Sequence, residues 1–256
     1  MALLLLTVAA TSLRSATPET HPSPKPGIVN EEEMPKEAGP AVKALQQFLA
    51  ATTVEERLRH TLHADAMKPL MERYYKQAPE GPVLVDRIQF IRMDPNPSLV
   101  AGTTCIFNLE SKAWEFSVPV MLQEEPDGFK VEWPAFVEFK DQLLEKFFTA
   151  YQKEPMRFHV GIQRNHCFDK EIPDLSGKDS FCVSPAPPNS FQGNVLLGKD
   201  TDLAKKLSTT MPWETHIWAV VELEWKKQDT QQWVELKSVP QMHWYSLPAD
   251  QRQSSK

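Results

Sequence analysis

Residues 114–133 read WEFSVPVMLQEEPDGFKVEW and contain the clearest strand pattern in the chain. Every second residue from Trp114 to Leu122 is apolar, which is the period of a strand that buries one face. The PDG sequence of residues 126–128 then favours a turn, and the alternation resumes as far as Trp133. We therefore predict two antiparallel strands, and the residues expected to anchor their buried face are Trp114, Phe116, Val118 and Trp133.

Helical patterns lie on both sides of these strands. Three amphipathic helices are predicted between Val42 and Tyr75, because apolar residues recur there at intervals of three and four. Residues 53–56 (TVEE) form a capping box for the second of them. After the strands, residues 135–151 predict one further helix with a continuous apolar stripe. These patterns predict an α+β fold for this part of the chain, in which the helices pack on a curved antiparallel sheet.

A second set of strand patterns begins after Pro155. The order is three strands, a short helix and two more strands, marked in turn by Phe158, Phe181, Val195, Leu203, Ile217 and Val234. Alternation of apolar and polar residues along these segments is typical of strands with one buried face. The order predicts a mostly-β, barrel-like unit.

Both parts resemble known architectures. Residues 128–137 (GFKVEWPAFV) are similar to segments of uncharacterised exported bacterial proteins, which also carry a Pro-Trp like Pro212-Trp213 and a strand like residues 220–225 (VVELEW). In its order of elements the first part resembles the nuclear transport factor 2-like cone, in which a curved sheet wraps around helices and can enclose a pocket. The second part resembles an oligonucleotide/oligosaccharide-binding barrel. Neither resemblance implies an activity.

We predict five regions from these patterns. They are a hydrophobic targeting or anchor segment (1–14), a disordered Pro-rich tether (15–40), an α+β cone-like domain (41–154), a β-rich barrel-like domain (155–247) and a disordered tail (248–256). The tether is expected because its six prolines prevent a continuous helix and its apolar content is low.

The N-terminus bears on location. Residues 2–10 read ALLLLTVAA, which is too short to span a bilayer but has the length of the apolar core of a signal peptide. No basic residue precedes this run, so the alternative is an apolar tail without a targeting role. We expect a protein of the cell envelope, anchored or secreted, that meets the membrane only through this segment.

The sequence shows no catalytic motif. Enzymes on the cone fold use an Asp or His as general base, and the candidates here are His60, His63, Asp65, Glu72, Glu110 and Glu132. The strand pattern places Glu110 and Glu132 on the solvent side, and His60 and His63 lie on a polar helix face. We therefore predict no catalytic residue.

The second part contains the residues to consider for a metal site or a disulfide. His159, His166 and Cys167 invite a metal site, but strand alternation turns His166 away from the other two, and further ligands such as His216 or His243 would be needed. We predict neither a metal nor another cofactor. In an exported protein Cys167 and Cys182 form a candidate cross-strand disulfide that leaves Cys105 free. The alternative is three unpaired thiols.

Charge limits the class of partner. The formal net charge is −6, and residues 156–247 contain 10 Lys plus Arg against 11 Asp plus Glu, so no basic surface attracts nucleic acid. We expect Trp218, Trp233 and Trp244 to cap the core or to meet another protein. The leading hypothesis is a noncatalytic, envelope-exposed interaction or binding module, and a protein of unknown identity is the candidate partner. The alternative is a small-molecule enzyme or carrier that uses a pocket in the cone.

Overall fold

A computed structural model of the chain describes residues 28–29, 34–78, 81–94, 102–167 and 172–244. The predicted targeting segment (1–14), the first part of the tether and the tail (248–256) lie outside these residues. Within them the fold is α+β, as the sequence predicts, with six α-helices and ten strands. None of these helices is long and apolar enough to cross a bilayer.

The first part of the chain packs helices against a five-stranded sheet. Its strands are hydrogen-bonded in the order β1 to β5, with β1 parallel to β2 and the other neighbours antiparallel. The elements are β1 (Ile28–Val29), α1 (Gly39–Ala50), α2 (Val54–Leu58), α3 (Ala64–Tyr75), β2 (Arg87–Asp94), β3 (Thr104–Glu110), β4 (Val118–Glu125), β5 (Gly128–Val131) and α4 (Trp133–Lys140).

The second part contains five strands whose hydrogen-bonded order, β10-β8-β7-β6-β9, closes on itself. β10 is parallel to β8, and the other paired strands are antiparallel. The elements are α5 (Leu143–Thr149), β6 (Met156–Asn165), β7 (Lys178–Ser184), β8 (Gly193–Gly198), α6 (Asp202–Thr210), β9 (His216–Gln228) and β10 (Gln231–Gln241).

Each part has its own hydrophobic core. In the first, Phe48 of α1 meets Phe136 of α4 edge to face, with ring centroids 5.4 Å apart, above the buried Phe107 of β3. In the second, Phe158 and Phe181 fill the space between the strands and are fully buried. Burial of such aromatic side chains is the main favourable contribution to both cores.

The predicted hairpin forms, but its two strands are shorter than the sequence predicts. β4 begins at Val118, so Trp114 and Phe116 precede the strand and are partly exposed. Trp133 is buried, but it is the first residue of α4 and not a strand residue. The strand ends before it because Glu132 caps α4 by accepting a hydrogen bond from the N–H of Ala135 (2.7 Å), and Pro134 suits the first turn of a helix.

The single helix predicted over residues 135–151 is wrong. The chain forms α4 and α5, separated at Gln142, whose φ of +51° lies in the left-handed region. Phe136 packs into the first core, whereas Leu144 and Phe147 pack into the second. The apolar stripe is continuous in the sequence, but its two halves are buried in different cores. The break at Gln142 turns the second half away from the first.

The predicted tether includes residues that belong to the fold. Val29 in β1 pairs with Ile88 of β2, and a short 3-10 helix over Lys36–Ala38 leads directly into α1 at Gly39. Ala38 is completely buried. The first folded part therefore includes residues before Pro40, since these few residues complete the edge of the sheet and the start of α1.

Candidate functional site

The two parts meet where α4 lies beside β6. Glu138 projects from α4 and is buried, although it is the only charged residue between Trp133 and Phe139. Its two carboxylate oxygens accept the backbone N–H of His159 in β6 at 2.8 and 2.9 Å, and its Oε2 also lies 2.9 Å from the ring Nδ1 of His159. Glu132 completes the arrangement, with Oε1 3.8 Å from the His159 Nε2. We call Glu132, Glu138 and His159 the junction cluster.

Charge and burial oppose each other in the junction cluster. Burial disfavours the imidazolium, but the charges of Glu132 and Glu138 and the hydrogen bond to Glu138 outweigh it and raise the pKa of His159 to about 9. Burial also raises the pKa of Glu138, against the hydrogen bonds and charge of His159. With both ring nitrogens protonated, His159 faces a carboxylate on each side. This arrangement joins the two parts by charge-assisted hydrogen bonds.

Trp244, just after β10, covers the junction cluster. Its Nε1 donates to the carbonyl of Val160 (3.2 Å), and its ring stands edge-on to His159 with centroids 6.4 Å apart. It also packs on Phe139 of α4 (5.3 Å) and on Trp218 of β9 (4.6 Å). One tryptophan thus contacts α4, β6 and β9 together.

Further aromatic side chains lie on the outer face of β9 beside Trp244 and, separately, just after the end of β6. His216 packs on Trp218 at a centroid distance of 4.7 Å, and Trp213 stacks on His166 at 4.5 Å with an interplanar angle of 24°. Trp213 is 52% exposed and Trp218 37% exposed. We call Trp213, His216, Trp218 and Trp244 the aromatic row. Exposed tryptophans grouped in this way are typical of a binding surface.

Uncharged polar side chains lie beside the aromatic row, across β6, β7 and β8. The Asn165 amide donates to the Asn194 Oδ1 (2.7 Å), and its own Oδ1 accepts from the Ser180 hydroxyl (2.6 Å). Gln163, one alternate position from Asn165, is partly exposed. We call Gln163, Asn165, Ser180 and Asn194 the polar ladder.

Within the described residues, the interior of the first part is packed with its own side chains. Leu45, Phe48, Phe107 and Phe136 are fully buried there. Arg57 is also fully buried, and its Nη2 donates to the carbonyl of Ala51 at 2.7 Å. Its guanidinium lies 4.9 Å from the centroid of the Tyr75 ring.

Two unpaired donors remain in this interior. The Nη1 of Arg57 and the Nε1 of Trp133 are buried without a hydrogen-bond partner among the residues that the structure describes. A buried donor without an acceptor is costly, so both atoms call for an explanation.

The candidate general bases are scattered. His63 and Asp65 line a shallow surface opening beside Asp127 and Lys130, which form an ion pair at 2.8 Å. Glu72 and Glu110 are half-exposed and lie 4.0 and 3.9 Å from Lys68 and Arg87, respectively.

His60 and Glu132 lie apart from this opening. Burial, together with the nearby charge of Lys130, lowers the pKa of His60. The prediction that Glu132 faces water is wrong. Its side chain is largely buried, because it caps α4 and approaches His159.

The metal candidates are also separated. His159 is held by glutamates, His166 stacks on Trp213, His216 packs on Trp218 and His243 is exposed. In the described part of the chain, no group of three His, Cys, Asp or Glu side chains is arranged to hold a metal ion.

The three thiols are unpaired in the structure. Cys182 lies opposite Gln163, four residues before Cys167 on the neighbouring strand. Four residues of strand correspond to about 13 Å, whereas a disulfide requires Cα atoms within about 7 Å. The disulfide between Cys167 and Cys182 stays a prediction, and this offset counts against it. Cys105 is fully buried, and burial raises the pKa of its thiol to about 12.

Sequence patterns missed the role of Glu138. The sequence does contain a feature that points to this role, since one carboxylate interrupts the apolar run WPAFVEF. For its partner His159, the sequence suggests only a role as a metal ligand. The pattern gave no means of pairing residues that are 21 positions apart and belong to different cores. Comparison with family models, with curated proteins and with solved structures finds no match to this chain.

Proposed function

We propose that this chain is a noncatalytic binding protein and that its binding surface is the aromatic row. The observation that carries the proposal is the exposure of Trp213 and Trp218 in the second part. Large aromatic side chains supply much of the binding energy at protein surfaces when a ligand covers them. The filled interior of the first part favours this function over that of an enzyme with a central pocket, because a substrate would have to displace core side chains.

The strand arrangement of the second part supports the same proposal. We take it to be a barrel of the oligonucleotide/oligosaccharide-binding type, since β10 returns parallel to β8 and α6 lies between β8 and β9. We take the first part to be a nuclear transport factor 2-like cone with a filled interior. Such folds carry many functions, so the assignment rests on the exposed side chains and not on the fold.

We further propose that the protein acts in the cell envelope. The apolar run over residues 2–10 supports export or anchoring. Fractionation of a tagged protein expressed from its own upstream region tests this location. We expect it with membranes or in an extracytoplasmic fraction, and a wholly cytosolic signal would contradict the proposal.

Photo-crosslinking tests the binding surface. A photoreactive amino acid replaces Trp213 in the full chain, in its native cells, and a control protein carries the same group at Leu84, which is 64% exposed in the first part. We expect cross-linked species that form from position 213 and not from position 84. Identical products from both positions, or none from position 213, would contradict the proposed surface.

A second candidate function is a small-molecule carrier whose ligand displaces core side chains of the first part. The unpaired Arg57 Nη1 and Trp133 Nε1 favour it, because a ligand with acceptor oxygens would satisfy both donors. Native mass spectrometry of the protein purified from its own cells tests this candidate. A bound small molecule that Arg57→Lys releases supports a carrier, and a mass equal to that of the chain alone opposes it.

A further inference from the structure

A narrow pocket lies where the two parts of the chain meet. Its walls come from β4 and the residues before it, from α4 and α5, and from the loop between β7 and β8. Its volume of about 20 Å³ admits a group of the size of one water molecule and little more. None of its lining residues belongs to the aromatic row, so a ligand here would be additional to the one proposed for that surface.

Glu145 of α5 lines this pocket and carries an unsatisfied acceptor. Its Oε1 accepts a hydrogen bond from the side-chain amide of Asn189. Its Oε2 is buried and has no hydrogen-bond partner among the residues that the structure describes. A buried carboxylate oxygen without a donor is costly, and a bound group that donates a hydrogen bond to it removes that cost.

Asn189 fixes the position of this carboxylate. Its side-chain N–H donates to Glu145, and its Oδ1 accepts the backbone N–H of Phe191 at 2.9 Å. Both polar ends of Asn189 are therefore engaged, and the loop that carries it holds the carboxylate in place. The Glu145 Oε2 is thus positioned before a ligand binds, which lowers the entropic cost of binding.

The pocket is negatively charged. Two carboxylates, those of Glu138 and Glu145, line it together with no Lys, Arg or His side chain. Glu138 is committed to His159, whereas the hydrogen-bond partner of Glu145 is the uncharged Asn189. Because a buried charge needs a partner of opposite sign, the carboxylate of Glu145 favours a cation.

The rest of the lining suits a small cationic head on an apolar stem. Ser117 contributes a hydroxyl, and Gln142 contributes an amide oxygen, while the amide N–H of Gln142 donates to Glu115 at 3.3 Å. An ammonium has three donors and no acceptor, so these two oxygens and the Glu145 Oε2 match it. The remaining lining is apolar and can contact methylene groups: Phe116, Pro119, Phe139, Leu144, Pro185 and Ala186.

Other cations fit the pocket less well. A guanidinium is planar and larger than a single water molecule. A quaternary ammonium has no N–H to donate to the Glu145 Oε2. A metal ion needs several ligands, and within the described ranges no group of three His, Cys, Asp or Glu side chains is placed to supply them.

We propose that this pocket binds a primary ammonium group on an unbranched alkyl chain, with Glu145 as its counter-charge. The site is independent of the aromatic row. The same alkylammonium is presented by a free amine and by the lysine side chain of another protein, and the two sources are distinguished by experiment.

Titration of the full chain with n-pentylamine near neutral pH, followed by amide chemical shifts in NMR, tests the site. We expect saturable shifts of the Glu145, Ala186 and Asn189 signals. Glu145→Gln should weaken binding about tenfold or more, because a charge-assisted hydrogen bond is lost. Ala186→Leu should abolish binding by filling the pocket. Glu55→Gln, which makes the same change of charge at an exposed helix position, should leave the affinity unchanged.

The same titration with N-acetyl-lysine methylamide identifies the source of the ammonium. Affinity comparable with that of pentylamine supports a lysine side chain of a partner, and binding of pentylamine alone supports a free amine. Thermal unfolding gives an independent readout. Pentylamine should raise the melting temperature of the wild type and not that of Glu145→Gln, and the ligand-free melts show whether each variant is folded.

Four results would overturn the proposal. They are no saturable binding of either amine, an equal response to potassium chloride at the same concentration, binding that Glu145→Gln leaves unchanged, and tighter binding of pentylguanidinium or tetramethylammonium. Photo-crosslinking from position 213 is unaffected by any of them, so the proposed binding surface stands or falls separately.

Discussion

Glu138 of α4 binds both the backbone N–H and the ring Nδ1 of His159 in β6, at 2.8 to 2.9 Å. These contacts connect a helix of the first core to the first strand of the second. Because both residues are buried and each is the other's nearest polar partner, the contact is sensitive to the loss of either one. It lies directly beneath Trp244, at one end of the aromatic row. The stability of the junction and the shape of the proposed binding surface are therefore linked.

Replacement of Glu138 tests the strength of this junction. Glu138→Gln keeps the shape of the side chain but leaves the imidazolium of His159 without its nearest counter-charge. We expect a loss of about 3–5 kcal/mol in the free energy of unfolding, the usual cost of breaking a buried ion pair. Urea denaturation measures it, with Glu55→Gln at an exposed helix position as the control. A change equal to that of the control would show that the junction does not depend on the charge.

The junction cluster also predicts how stability depends on pH. An unfolded histidine has a pKa near 6.5, whereas that of His159 in the folded protein is about 9. The folded state therefore binds this proton more tightly. Its stabilising contribution is complete below about pH 6.5 and is lost as the pH rises through 9, with a total of about 3 kcal/mol.

The measurement is a series of urea melts from pH 6 to pH 10 on the wild type and on His159→Gln. The difference between the two proteins should shrink steadily as the pH rises. A difference that stays constant over this range would mean that His159 is neutral in the folded protein.

Trp133 supplies a test of the first core. It is 5% exposed and packs edge to face on Tyr74 with centroids 5.7 Å apart. Trp133→Ala should therefore cost about 3–5 kcal/mol in stability. Trp133→Phe should cost distinctly less, because it keeps part of the ring and removes an Nε1 that has no partner among the described residues. Equal losses for the two variants in urea melts would indicate that ring packing is not what stabilises this position.

The division of the chain between the two cores predicts which fragment folds. Leu144 and Phe147 of α5 belong to the second core, and the Trp225 Nε1 donates to the carbonyl of Phe147 at 2.9 Å. A fragment of residues 143–247 should therefore unfold cooperatively. A shorter fragment, of residues 156–247, should be less stable by several kcal/mol, because it lacks these two buried side chains.

Circular dichroism during thermal unfolding compares these two fragments. Limited proteolysis of the whole chain gives an independent check. Cleavage within residues 151–155 alone should not release a stable second part, since α5 would remain on the other fragment. Equal melting temperatures for the two fragments would contradict the assignment of α5 to the second core.

Gly161 provides a test of ring placement that leaves every aromatic residue present. Gly161→Ala introduces a Cβ where the His216 and Trp218 rings lie. We expect the two rings to rotate outward, which increases the solvent exposure of Trp218 and shifts its fluorescence to longer wavelength. The backbone stays free of clashes, because the nearest atoms are side-chain atoms. An unchanged emission spectrum would mean that the rings do not rest on Gly161.

Local patterns in the sequence were sufficient for most strands and for the order of elements. Alternation identified β6, β7 and β9, since each buries alternate residues such as Phe158, Phe181 and Val221. A period of two or of 3.6 residues depends only on neighbours along the chain, so it can be recognised without knowing the fold. The α+β class and the change from helices to a strand-rich second part follow from these patterns.

The sequence by itself thus determined most of the segments that become strands and helices, because that choice depends largely on short-range periodicity and on turn residues. Tertiary structure alone decided the rest. The helix predicted over residues 135–151 divides at Gln142 because its two halves are buried in different cores. Glu138 meets His159, and Trp244 covers them, because α4 and β6 pack together although the two residues are 21 positions apart in the sequence. Pairings of this kind depend on the closure of both cores, and no local pattern encodes them.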